Sequence, residues 1–218
     1  MSVLKRKGII FDFDGVILDS VSIKGETFGA LFRSFGQEVV NQVVAYHHAN
    51  GGLNRYEKFK FIHHHILNIE YTEADGRRLS CEFETLVLDR LVQANPIAGA
   101  VEFLEFCIAN GIRASVNTAA PEFEVSRVLK AKGWDHYFSI VCGNTKTKVE
   151  NIRQTLNFWN FDESAIVFYG DTINDLKAAA EAEVEFVGIG KRENFVEHLG
   201  EEFQVFRDFL EVLKSVES

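Results

Sequence analysis

The sequence predicts an α/β protein, a doubly wound parallel sheet with an all-helical segment inserted after the first strand. Three observations carry this. The run Ile9-Ile10-Phe11 is continuously apolar and ends in Asp12-Phe13-Asp14-Gly15. From Pro96 onward, short apolar runs alternate with helix-period segments, the pattern of repeated strand–helix units. Between residues 19 and 95, helical periodicity runs almost without interruption.

Taken in order, the first apolar run reads as a fully buried parallel strand, and ligands on such sheets bind beyond the carboxyl ends of the strands. Asp12 and Asp14 fall at that edge. Desolvating two carboxylates costs several kcal/mol unless a cation or proton compensates. One of them could simply cap the following turn, but a pair flanked by phenylalanines is poorly explained that way.

The helical stretch after Asp19 is broken at Gly36 and at Asn50-Gly51-Gly52. A helix over 98–110 then stops at Gly111. There follow a strand over 113–117, a helix over 121–132 closed by Gly133, a strand over 139–142 and a helix over 148–158. A strand over 165–169, a helix over 173–182 and a strand over 185–189 complete the alternation, and 206–216 reads as a final amphipathic helix. The expected organisation is a core of 1–18 and 96–218, with 19–95 as a helical cap lying over Asp12 and Asp14. Gly15 and Gly99 stand near the two crossings and are the expected hinges.

With 218 residues, 46% of them hydrophobic, and only two prolines, the chain can bury a substantial core. A formal net charge of −9 argues against a nucleic-acid partner, which needs a basic face. No run of about 18 apolar residues occurs, and residues 1–7 lead straight into the first strand, so no membrane association and a cytoplasmic location are expected. The three cysteines, Cys81, Cys107 and Cys142, are far apart among apolar residues and read as reduced thiols. His63-His64-His65 cannot converge on one ion from a helix, because adjacent side chains point in different directions.

Three further strand ends carry polar residues of defined kinds. Thr118 follows the 113–117 strand just before a helix, where its hydroxyl and nearby N–H groups can face an anion, although an ordinary helix cap looks the same. Lys148 opens a helix, an unfavourable place for a cation unless an anion lies close by. The strand Ile166-Val167-Phe168-Tyr169 ends in Gly170-Asp171, with Asp175 four residues on. Carboxylates at Asp12, Asp14 and Asp171 with a hydroxyl and a lysine suit a hard dication such as Mg²⁺ and a phosphoryl group; zinc would call for His or Cys.

These residues resemble the four ordered motifs of the haloacid dehalogenase superfamily, in the branch with a helical cap after the first motif: Asp12-Phe13-Asp14-Gly15-Val16, Thr118, Lys148, and Gly170-Asp171 with Asp175. The resemblance spans essentially the whole chain. It implies a Rossmann-like core and a phosphatase of the phosphoglycolate-phosphatase-like kind, acting on a small phosphorylated metabolite as a monomer or weak homo-oligomer. By resemblance, Asp12 is the nucleophile that forms an aspartyl-phosphate, and Asp14 is the acid and then the base. Mg²⁺ is held by the Asp12 side chain, the Asp14 carbonyl and Asp171, with Asp175 acting directly or through water and Lys148. Thr118 and Lys148 hold the phosphoryl oxygens, and Gly15, Asn117 and Arg55 complete the substrate-binding positions.

The dehalogenases themselves lack the second aspartate of the first motif, so Asp14 favours phosphoryl transfer. In the cap, Arg55 is the expected reader of the substrate's far end; the alternative is a solvated helix face made of Arg55, Lys58 and Lys60. Other readings are a sugar-phosphate mutase of the β-phosphoglucomutase kind, a phosphonate hydrolase needing a cap lysine, and a catalytically silent binding protein. Gly51 and Lys24 stand where the mutases carry a lysine and a histidine.

Overall fold

The computed structural model describes residues 5–198 and 203–216. It divides into two compact units, Met1–Asp19 with Asn95–Ser218, and Ser20–Ala94. In chain order, β1 (Gly8–Phe11) is followed by the four helices of the smaller unit, α1 (Val21–Leu31), α2 (Gln37–Ala49), α3 (Arg55–Phe61) and α4 (Glu73–Gln93). The larger unit resumes with α5 (Ala100–Ala109), β2 (Arg113–Asn117), α6 (Glu122–Lys132), β3 (Phe138–Cys142) and α7 (Lys148–Trp159). It ends with β4 (Ile166–Gly170), α8 (Ile173–Glu181), β5 (Glu185–Ile189), β6 (Gln204–Phe206) and α9 (Phe209–Val216).

The described strands form one six-stranded sheet in the order β3-β2-β1-β4-β5-β6, and every pairing is parallel. The order runs one way from β1 through β3 and the other way from β4 through β6. The switch point, where open α/β sheets leave a crevice, therefore lies at the carboxyl ends of β1 and β4. Phe11 is in register with Tyr169, so the residues that follow β1 and β4 emerge side by side.

Alternation along the strands divides the core into two layers. On one face Phe11 packs with Phe103 of α5 (6.1 Å between ring centroids), Tyr169 of β4 (5.6 Å) and Phe209 of α9 (5.9 Å). On the other, Ile10 and Phe168 pack with Ile152, Leu156 and Trp159 of α7 and Leu176 and Ala179 of α8. Gly8 belongs to this second layer: a Cβ there would lie 2.6 Å from the Trp159 ring, so the indole can lie on the strand only because the side chain is missing.

β6 is absent from the sequence reading, which placed Phe206 in the tail helix; that helix begins three residues later, at Phe209. Three residues are too few to show a period, and the strand forms because β5 offers an edge, pairing Val187 with Gln204 and Ile189 with Phe206. The two glycines near the crossings both have positive φ. Gly15 (φ 80°) lies in a turn closed by its N–H donating to the Leu18 carbonyl at 2.8 Å. At Gly99 (φ 78°) a Cβ would lie 2.6 Å from the Leu210 nitrogen, and Phe209 N–H donates to the Ala98 carbonyl at 2.9 Å. The crossings are also tied together, Asp19 N–H to the Asn95 carbonyl and Ile97 N–H to the Ile17 carbonyl, both 3.0 Å.

The smaller unit is a helical bundle around Phe28, Phe59 and Phe83, with ring centroids 4.8 Å apart for Phe28–Phe83 and 5.4 Å for Phe28–Phe59. Asn54 caps α3 by accepting from Tyr56 N–H at 2.9 Å. α3 runs on into a π-helical turn, Ile62–Leu67, where His63 is buried against the Phe59 carbonyl (2.8 Å). Among the described residues no helix is long and apolar enough to cross a membrane.

Candidate active site

The carboxyl edge at the switch point gathers Asp12, Asp171 and Asp175, whose nearest carboxylate oxygens all lie within 4.8 Å of one another. Lys148 reaches this group from α7. Its Nζ lies 3.2 Å from Asp12 Oδ1, donates a hydrogen bond to Asp175 Oδ1 and sits 5.8 Å from the centre of the Phe168 ring. Asp175 is fully buried, and its other oxygen accepts from Thr172 N–H (3.1 Å) and Thr172 Oγ1 (2.6 Å), which caps α8. Both Asp175 oxygens are thus engaged by protein donors. Among the described residues, by contrast, no hydrogen-bond donor meets the buried Asp12 Oδ1 or Asp171 Oδ1 in bonding geometry.

Three carboxylates against one ammonium leave an excess of negative charge in a dry place. Burial pushes the Asp12 carboxyl up to about 7, against the pull of Lys148, and Asp175 and Asp14 add to the rise. Asp171 is raised well above the carboxylate range by burial and then by Asp12 and Asp175. For Lys148 burial acts to lower the pKa, but Asp12 and Asp175 outweigh it and hold the ammonium charged. Crowded acids with sealed, undonated oxygens are what a hard dication would relieve, and the donor set is all oxygen.

Local sequence explains each placement. Gly170 has no room for a side chain, since a Cβ there would lie 2.3 Å from the Asp175 Cβ; the glycine is what lets Asp175 fold back over the end of β4. Lys148 is the first residue of α7, fixed by a capping box in which Thr147 Oγ1 accepts from Glu150 N–H (3.2 Å) and the Glu150 carboxylate accepts from Thr147 N–H (2.8 Å). At that end the helix dipole opposes a cation, and Asp12 and Asp175 offset the cost. Thr118 is buried after β2, its N–H donating to the Cys142 carbonyl (3.0 Å) and its Oγ1 accepting from Ala120 N–H (3.1 Å), which leaves the hydroxyl proton to donate. Asp14 is half-buried, and its side chain is not one of the carboxylate triplet.

A family model described as haloacid dehalogenase-like hydrolase matches residues 9–189, from β1 through β5, and so includes all of these residues. The chain belongs to that family. A phosphoglycolate phosphatase of Agrobacterium fabrum is 27% identical over 186 residues, covering 83% of this chain and 78% of its own. A phosphorylated carbohydrates phosphatase of Thermotoga maritima is 23% identical, covering 82% of each. Among solved structures, a hydrolase from Pseudomonas syringae superposes with a TM-score of 0.80 at 20% identity, over 97% of this chain and 98% of its own. A β-phosphoglucomutase from Clostridium difficile reaches 0.78 at 18%, over 97% of each chain.

Two expectations for this haloacid dehalogenase-like hydrolase change on the structure. Asn117 does not present its side chain to a ligand: it is fully buried, donating to the Lys148 carbonyl (2.9 Å) and accepting from Asn151 Nδ2 (3.0 Å). The basic residues of α3 do not form one solvated face either. Arg55 is buried with its guanidinium 4.6 Å from the centre of the Phe83 ring. Lys58 is buried 3.3 Å from His47 Nδ1 and 5.6 Å from the Phe28 ring centre. Only Lys60 of the three is exposed. Positions 55 and 58 share a helix face, and the aromatic core of the bundle accepts the cations' flat or methylene surfaces. Sequence reasoning missed Asn151; its one signal was a short amide opposite the polar end of a strand.

Proposed function

We propose that this protein is a Mg²⁺-dependent phosphomonoesterase acting on a small phosphorylated metabolite through an aspartyl-phosphate. The observation that carries the reading is Lys148 lodged between Asp12 and Asp175 beside the undonated Asp171 oxygen, at the switch point of the sheet. The two relatives named as phosphatases support the same chemistry. Asp12, Asp171 and the Asp14 backbone carbonyl would hold Mg²⁺, with Asp175 acting through Lys148. When bound, the ion neutralises phosphoryl charge and favours an ionised Asp12.

The Asp12 carboxylate attacks phosphorus, forming the acyl phosphate as the ester P–O bond breaks. Asp14, two residues on and half-buried, gives its proton to the departing alkoxide oxygen. It then takes a proton from the water that attacks phosphorus and releases phosphate, which restores Asp12. Thr118 and Lys148 hold the phosphoryl oxygens, and the tight turn at Gly15 lets the backbone come close to them.

The test is phosphate release from a panel of small esters with Mg²⁺, including 2-phosphoglycolate, sugar phosphates and nucleoside monophosphates, on wild-type and Asp12→Asn protein. The expected outcome is turnover of at least one of these esters by wild-type protein, with none in the variant. Substantial release by Asp12→Asn would remove the nucleophile assignment. Failure of wild-type on every ester would remove the phosphatase reading.

A further inference from the structure

Behind Thr118 and Lys148 lies a buried amide chain that the proposed chemistry does not use. Asn151, one turn into α7, donates through Nδ2 to both Asn117 Oδ1 (3.0 Å) and the Gly143 carbonyl (2.9 Å). Asn117, the last residue of β2, donates through Nδ2 to the Lys148 carbonyl (2.9 Å). Asn117 is 0% and Asn151 2% exposed. The chain therefore joins the strand end that carries Thr118, the loop after β3 and the first turn of the helix that carries Lys148. The Gly143 end is itself fixed, because a Cβ there would lie 2.3 Å from the Glu122 nitrogen, so the loop is seated on the start of α6.

We propose that Asn151, acting through Asn117, is a positioning residue that sets the spacing between the Thr118 hydroxyl and the Lys148 ammonium. The inference rests on the phosphatase reading, in which these two groups hold the transferring phosphoryl oxygens. Filling space does not account for the pair, since apolar side chains would do that without desolvating two amides. Each amide hydrogen of Asn151 has a defined acceptor, and through Asn117 the chain ends on the backbone carbonyl of Lys148 itself. The restraint has a force to oppose: Lys148 sits at the positive end of its helix and is drawn toward Asp12 and Asp175 on the other side. Anchoring its carbonyl to β2 keeps the ammonium within reach of both the carboxylates and a phosphoryl group beside Thr118.

Asn151→Ala and the milder Asn151→Ser, which keeps one donor, are compared with Thr155→Val. Thr155 Oγ1 donates to the Asn151 carbonyl at 2.9 Å, lies 3.9 Å from Cys142 Sγ and is equally buried, but it makes no bond to Asn117, Gly143 or Lys148. The readouts are the inhibition constant for inorganic phosphate, kcat/KM for two esters with different leaving groups, and the melting temperature. All activities are read well below melting. The expected result for the Asn151 variants is phosphate inhibition weakened roughly tenfold, with the same fold-loss of kcat/KM for both esters because the phosphoryl group is common to them. Thr155→Val is expected to melt lower with its phosphate constant unchanged. If Asn151 variants melt lower while the phosphate constant and kcat/KM stay at wild-type values, the network is structural only and the inference fails. A loss that differs between the esters would place the effect on the leaving group and also overturn it. Wild-type protein that neither binds phosphate nor turns over either ester would instead remove the underlying phosphatase reading, and this inference with it.

Discussion

The segments Thr72-Glu73-Ala74-Asp75 at the start of α4 and Thr172-Ile173-Asn174-Asp175 at the start of α8 build the same capping box in the two units of the chain. In each, the threonine hydroxyl donates to the aspartate Oδ2 at 2.6 Å and the threonine N–H donates to it at 3.1 Å. Their surroundings differ. The Asp75 side chain is one-third exposed with Arg78 3.7 Å away, whereas Asp175 is fully buried and pairs with Lys148 beside Asp12 and Asp171. The hydrogen bond from the Thr72 hydroxyl, then that from its N–H, hold Asp75 below the usual carboxylate range. Four residues of sequence specify a helix start; the strand end on which the helix begins decides whether its carboxylate also enters a site.

The sharpest way to separate the two boxes is to neutralise each aspartate. Asn can still accept from the capping threonine, so Asp175→Asn removes mainly the charge facing Lys148. The lysine is left with Asp12 alone and is drawn onto the nucleophile. Turnover at saturating Mg²⁺ is expected to fall on the order of 10²- to 10³-fold, while Asp75→Asn changes it less than about twofold. Comparable losses from both would mean that Asp175 is only a cap.

The glycine beside each box gives a second contrast, read by thermal melting. At Gly170 an added Cβ would meet the Asp175 Cβ at 2.3 Å, an atom close to backbone that cannot move without breaking the cap. Gly170→Ala is expected to destabilise by about 2–4 kcal/mol and to abolish turnover. At Gly76 the obstruction is the Tyr71 hydroxyl at 2.1 Å, the far end of a side chain that can swing away. An alanine inside a helix also recovers up to about 1 kcal/mol of propensity. Gly76→Ala is therefore expected to fall within about 1 kcal/mol of wild-type. The reverse order would mean that the cap box is the more rigid of the two.

Charge crowding supplies a third contrast. Asp171→Asn removes one of three clustered carboxylates, so without metal the variant should melt slightly above wild-type. Mg²⁺ at about a hundred times its dissociation constant should stabilise wild-type by roughly 2–3 kcal/mol. It should stabilise Asp75→Asn equally and Asp171→Asn hardly at all. A full Mg²⁺ response in Asp171→Asn would show that the triplet is not where the ion binds.

Much of this was legible because strand ends carry their own signature. The strands 113–117 and 185–189 were readable to the residue, and Asp12, Asp14 and Asp171 stood out because an apolar run ending in acid is poorly explained by capping alone. In the structure Asp175, four residues after Asp171, takes the place of Asp14 in the carboxylate triplet. What escaped was set by tertiary contact. β6 exists because β5 has an open edge. Arg55 and Lys58 read as equally polar with Lys60, and only the packing of Phe28 and Phe83 distinguishes them. Asn117 looked like a ligand-facing residue until Asn151, 34 positions away, was found against it.

The smallest contrast concerns pH and isolates the cap box. A group whose pKa is lowered on folding contributes stability that is fully present above its unfolded value, about 3.9 for Asp, and is lost as pH falls through the lower folded value. The difference in melting temperature between wild-type and Asp75→Asn should therefore be constant from near neutrality down to about pH 5 and shrink below about pH 4. It should also fall with salt, since the carboxylate is exposed to screening ions. A difference that stays flat to the lowest pH at which the protein remains folded would mean that the hydrogen bonds from Thr72, rather than the charge, account for the cap. The α4 box would then owe its strength to geometry alone, and charge would matter only in the buried box, where Asp175 faces Lys148.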